Sequence, residues 1–202
     1  MHSIYKFVSY TFHPIIIPTI GTLLHFIVTP NINIQYKLTW IGAVFFLTYF
    51  SPIIYLLILK KLRIVTDIQL PLAKERLLPL IFSGINFVIL IYILSLFSAT
   101  STLKYFYTGS LVSLVISYFF ALKGKKISLH AIAISGLIGY LLIESYLYKT
   151  DLLLEIIVCT ILAGLIGNSR LKLKAHTNSE LYFGYLIGFN APIVAFLVYY
   201  SM

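Results

Sequence analysis

The stretch NSRLKLKAHTNSE, Asn168–Glu180, packs Arg170, Lys172, Lys174, His176 and Glu180 between two apolar runs, at about residues 152–167 and 181–200. A helix needs about 20 apolar residues, at about 1.5 Å each, to cross the ~30 Å hydrocarbon core of a bilayer. The stretch therefore reads as the charged connector of a transmembrane hairpin. Working outward, similar runs recur at about 8–29, 38–59, 79–97, 105–122 and 129–148, which makes seven candidate spans. The sixth, 152–167, is short. Pro14 and Pro18 interrupt the first, which predicts a kinked or partly re-entrant segment and leaves six or seven crossings.

Of the 202 residues, 60% are hydrophobic and 10% charged, and the mean hydropathy is +0.97. That balance excludes an ordinary soluble domain. It predicts an all-α polytopic transmembrane helix bundle, a single integral membrane domain over residues 1–202. The opening MHSIYKFVSYTFHPIIIPTI has no small-residue cleavage site behind a short apolar core, so it is expected to remain as a first helix. A net charge of +9 would suggest nucleic acid in a soluble protein, but these cations lie in short connectors, close to lipid head groups. The expected partners are the lipid bilayer and a membrane lipid phosphate, with no nucleic acid. Cys159 sits inside an apolar run and reads as packing, which leaves no disulfide framework and no cysteine metal site.

Connectors that follow spans two, four and six emerge on one face, because an even number of crossings separates them. They contain LPLAKERLLP (70–79), KGKKISLHA (123–131) and the opening stretch. Parity thus gathers Arg76, Lys126, Ser128, His130, Arg170, His176 and Glu180 on one side. Twelve of the fifteen lysines and arginines fall there, against Lys37, Lys104 and Lys149 opposite, and the positive-inside rule assigns that face to the cytoplasm. Setting aside Lys74, Arg76, Lys126 and Arg170 as phosphate ligands leaves eight against three, with the same sign.

If a helix begins near Thr177, Glu180 lies one turn inside it and can reach back to His176. A carboxylate that holds one ring nitrogen leaves the other free to attack, as a nucleophilic histidine requires. Thr177-Asn178-Ser179-Glu180 spells a capping box equally well. Ser128 and His130 open the fifth span, where unpaired N–H groups and the helix dipole favour an anion and where His130 can protonate a leaving oxygen. An ordinary N-cap and an interfacial histidine fit the same residues. Lys74-Glu75-Arg76 supplies cations that suit either phosphate or topology.

Together the three pieces resemble the type 2 phosphatidic acid phosphatase superfamily, whose motifs read K-x6-RP, PSGH and SR-x5-H-x3-D. Ser169, Arg170 and His176 match the third, with Glu180 in place of the aspartate. Ile127-Ser128-Leu129-His130 keeps the serine and histidine of the second. In the first, Arg76 fits the arginine, while the lysine position falls on Gln69 and the proline position on Leu77, with Lys74 or Pro79 as spatial substitutes. The resemblance covers about Gln69 to Glu180 within a phosphatase-like core of about 60–200. It extends to a divergent group of small membrane proteins with KIS-x-H and RL-x-L-x-AH signatures.

What the resemblance implies is an integral membrane lipid phosphatase, without cofactor or metal, that hydrolyses a phosphomonoester or pyrophosphate through a phosphohistidine. His176 would be the nucleophile, Glu180 its orienting group and His130 the acid and then the base. Arg170, Arg76, Ser128, Lys74, Lys126 and Ser169 would bind the phosphate. The expected location is a bacterial inner membrane, with the site facing the cytoplasm. The other reading is a non-catalytic or transport protein that retains a lipid-phosphate pocket. Mg²⁺-dependent lipid synthesis fits poorly, because Asp67 and Asp151 are the only aspartates and fall on opposite faces. His13 and His25 are expected to pack, and Glu144, Asp151 and Glu155 to meet water at the opposite face.

Overall fold

The computed structural model describes residues 2–96 and 102–201, and among these the regular elements are all helical, with nine α-helices and no strand. They make seven spans long and apolar enough to cross a membrane, which is the architecture of an integral membrane protein. The first span is broken: α1 (His2–Thr11), a 3₁₀ turn at Pro14–Ile16 and α2 (Ile17–Val28). Pro14 and Pro18 lack the N–H groups that a continuous helix needs, so the break falls where the sequence predicts it. The second joins α3 (Ile34–Phe45) to α4 (Ser51–Lys61) through a π turn at Phe46–Phe50. The others are α5 (Leu77–Ser95), α6 (Leu103–Leu122), α7 (Leu129–Tyr148), α8 (Leu153–Lys172) and α9 (Asn178–Tyr200). The expected end of the third span, at residue 97, lies outside the described residues.

One boundary changes the chemistry. Hydropathy ends the sixth span near residue 167, but α8 continues through Lys172. Asn168 to Lys172 lowers the hydropathy without breaking a helix, since none of these residues is proline or glycine. Arg170 therefore projects from a helix and not from a connector.

Helix α7 is the centre of the bundle, buried on most sides and packed against α9, α8, α2 and α6. Glycines bring its neighbours close. A Cβ at Gly188 of α9 would collide with the Ile132 carbonyl and the Ser135 hydroxyl of α7, and one at Gly109 of α6 would meet the backbone of Ala191 and Pro192. Small residues at such crossings are the usual means of packing helices in lipid. The consequence is positional: the start of α9 lies beside the start of α7, where Ser128 N–H donates to the Glu180 carbonyl at 3.2 Å.

The long connector before α5 is pinned by Glu75. Its carboxylate accepts Thr66 N–H at 2.7 Å and Leu72 N–H at 3.4 Å, while Leu70 turns through a left-handed φ of 51°. Leu59, Val65 and Leu70 close a small apolar cluster beneath it. This folding turns Arg76 inward.

Candidate active site

The chain leaves α8 through a tight turn, with Lys174 at a left-handed φ of 52° and Ala175 N–H on the Arg170 carbonyl at 3.0 Å. His176 follows, buried, and Thr177 caps α9. His176 Nδ1 lies 2.7 Å from Glu180 Oε2, and the same oxygen accepts Thr177 N–H at 3.2 Å. Glu180 N–H returns a bond to Thr177 Oγ1 at 3.3 Å. The two sequence readings are therefore both true: Glu180 completes the capping box and holds the imidazole. A carboxylate accepts, so Nδ1 carries the proton and Nε2 keeps its lone pair. Burial pushes the pKa of His176 down to about 4, helped by Arg76 and Arg170, although the Glu180 hydrogen bond and charge pull it the other way. The ring is neutral at pH 7.

A cavity of about 570 Å³ brings His13, Arg76, His130, Arg170 and His176 together at its polar end. From there it continues past Leu47, Phe82, Phe87 and Phe106 into the bundle. Arg76 is anchored by Nε on the Leu70 carbonyl and Nη1 on the Ile127 carbonyl, both at 3.1 Å, so two connectors fix one guanidinium. Arg170 Nη1 donates to Ser9 Oγ at 2.6 Å, while its buried Nε has no partner among the described residues. His130 Nε2–H donates to the Ser9 carbonyl at 3.1 Å, which leaves Nδ1 for other work.

The remaining candidates sit elsewhere. Ser128 is fully buried, and its Oγ accepts Ala131 N–H at 3.4 Å, an N-cap and not a phosphate contact. Ser169 Oγ donates to the Tyr5 carbonyl at 2.5 Å. Lys74 is exposed, and Lys126 Nζ reaches the Pro71 carbonyl at 3.4 Å; none of these four lines the cavity. Of the positions weighed for the first motif, Gln69 and Pro79 do line it, and Gln69 donates to the Tyr10 hydroxyl. The lysine position is thus a bridge to α1 and not a charge.

Sequence reasoning expected a first helix here but missed the part that α1 plays in the site. Its Tyr5, Ser9 and Tyr10 reach Ser169, Arg170, His130 and Gln69, and His13 at its end stands edge-on to His130, with ring centroids 5.3 Å apart. A lone histidine beside a proline carries no spacing signal, and only the tertiary fold shows its neighbours.

At the opposite end, Glu144 is not solvated as expected. It is fully buried, with its Oε1 3.2 Å from His25 Nδ1 and accepting the Tyr140 hydroxyl at 2.5 Å. Thr102 Oγ1 lies 3.2 Å from the same His25 nitrogen. Asp151 is exposed and accepts Leu153 N–H, at the start of α8, at 3.0 Å, and Cys159 packs in the core as expected. Comparisons with protein-family models, characterised proteins and solved structures give no match for this chain.

Proposed function

We propose that the chain is an integral membrane lipid phosphatase, similar to the type 2 phosphatidic acid phosphatases, that acts on a phosphomonoester or pyrophosphate of a membrane lipid. The observation that carries this reading is a neutral His176, held at Nδ1 by Glu180 and sharing one cavity with two arginines and His130. The apolar continuation of that cavity suits a hydrocarbon chain. In the first step, His176 Nε2 attacks phosphorus, the P–N bond forms and the bond to the leaving oxygen breaks. His130, which takes up a proton when the phosphate dianion enters beside it, gives that proton from Nδ1 to the leaving oxygen while Nε2–H stays on the Ser9 carbonyl. The Ser9 carbonyl serves His130 as Glu180 serves His176. Arg76 and Arg170 take up the charge that spreads over the phosphoryl oxygens. Neutral His130 then accepts a proton from water as that water attacks the phosphohistidine, releasing phosphate and restoring His176.

The distribution of cations favours a cytoplasmic face for the site. One observation favours the second reading, a non-catalytic or transport protein with the same pocket: α1 occupies donors on Arg170, His130 and Ser169 that a phosphate would use. Phosphate release by the purified protein from a panel of lipid phosphates in EDTA decides between them. The enzyme reading expects turnover that His176→Ala reduces by at least ~10³-fold. Binding without turnover, or turnover that survives the substitution, supports the second.

A further inference from the structure

The break in the first span aims a third histidine at the site. His13 precedes Pro14, and a residue before proline is driven out of the helical region; here it takes φ −64° and ψ 139°. That extended backbone ends α1 and lets the side chain cap the next turn, where Nδ1 accepts Ile15 N–H at 3.5 Å. An amide can only donate, so Nδ1 holds the lone pair and the proton sits on Nε2. The ring lines the cavity with Arg76, Arg170, His130 and His176, and lies at 76° to the ring of His130. The charged and titratable groups that face it are the Arg170 guanidinium and His130.

In-line transfer presents three equatorial oxygens, and each needs a donor. Arg76 and Arg170 supply two. The serines that sequence suggested for the third do not reach it: Ser128 is fully buried, Ser169 donates to the Tyr5 carbonyl, and neither lines the cavity. We infer that His13 is the third phosphate ligand, a neutral imidazole whose Nε2–H donates to a phosphoryl oxygen while His176 attacks. It moves no proton, because its only lone pair is bound to Ile15 N–H. Two guanidinium charges already balance a phosphate dianion, so a neutral donor adds direction without excess charge. This role rests on the phosphatase reading above.

The test compares wild type, His13→Ala and His13→Gln, purified intact and matched for thermal unfolding, in hydrolysis of a lipid phosphate and in inhibition by orthovanadate. Glutamine restores a neutral N–H donor of similar reach. Loss of one donor to a developing oxyanion lowers kcat by about 10²–10³-fold, so His13→Ala is expected to fall in that range and to weaken vanadate in parallel. His13→Gln is expected to recover at least about tenfold of both. Wild-type levels in His13→Ala, or a loss that His13→Gln leaves untouched, would overturn the assignment and make His13 a structural cap alone. A wild type that neither hydrolyses lipid phosphates nor binds vanadate removes the phosphatase reading itself, and the role of His13 with it.

Discussion

The described residues include two histidine–glutamate pairs, one at each end of the bundle, and they stand in opposite surroundings. His176 and Glu180 are four residues apart, 2.7 Å at closest approach, beside two arginines and a cavity. His25 and Glu144 are 119 residues apart, 3.2 Å at closest approach, wholly buried and ringed by the hydroxyls of Tyr140 and Thr102. Neither His25 nor Glu144 lines the cavity. In the first pair the carboxylate holds one ring nitrogen of a histidine that lines the cavity. In the second, the carboxylate ties α2 to α7 inside the bilayer, where an unpaired ionisable group is costly. A shared pair of residue types thus decides nothing; access and neighbouring charge do.

The largest way to break this comparison is at the sealed end. Glu144→Ala leaves His25 without its carboxylate and Tyr140 without its acceptor, and is expected to cost about 3–5 kcal/mol of stability. Phosphate release per folded molecule should stay near wild type, since the cavity is untouched. Replacing both partners, as in His25→Leu with Glu144→Leu, is expected to recover most of the loss, because breaking a buried pair costs more than removing it. Thermal unfolding in detergent measures both. Equal destabilisation by the single and double variants would contradict a pair whose main role is to satisfy itself.

At the open end the effect moves from stability to rate. Glu180→Gln keeps a residue that can close the capping box, so unfolding is expected to change little. It removes the charge that fixes the Nδ1–H tautomer of His176, and phosphate release should fall by about 10²-fold or more. A variant that loses stability and keeps its rate would make Glu180 a cap and nothing else.

The difference between the pairs also explains what was legible in the sequence. The helices were legible because twenty-residue apolar runs have few alternatives, and His176–Glu180 because i,i+4 spacing is local. Parity placed Arg76, His130, Arg170 and His176 on one side, and the cavity now joins them. Lys74 and Lys126 satisfied the same parity, but a connector position says nothing of where a long side chain points. Ser128 was drawn into a local cap and Ser169 onto the carbonyl of the distant Tyr5, choices that residue type alone does not rank. Glu144 with His25, and Ser9 of α1 with Arg170, join residues more than a hundred positions apart. No periodicity encodes such contacts; they depend on which helix packs on which.

The smallest expected effect sharpens the contrast most finely. The folded pKa of His176 is about 4, against an ordinary value of 6.5. Between those two pH values the unfolded chain binds a proton that the folded chain does not, so His176 makes stability rise with pH through that window. Its contribution is full above 6.5 and lost as pH falls toward 4. For the chemistry the consequence is a flat profile. On the proposed phosphatase reading, a His176 that stays neutral should form phosphohistidine at rates within about threefold between pH 5 and pH 8, provided the substrate has a leaving group that needs no protonation. Single-turnover trapping of the phosphoenzyme with an aryl phosphate measures this step without His130. An acid limb near 6.5 would mean that His176 titrates as an ordinary exposed histidine, and burial beside Arg76 and Arg170 would then not be what sets it apart.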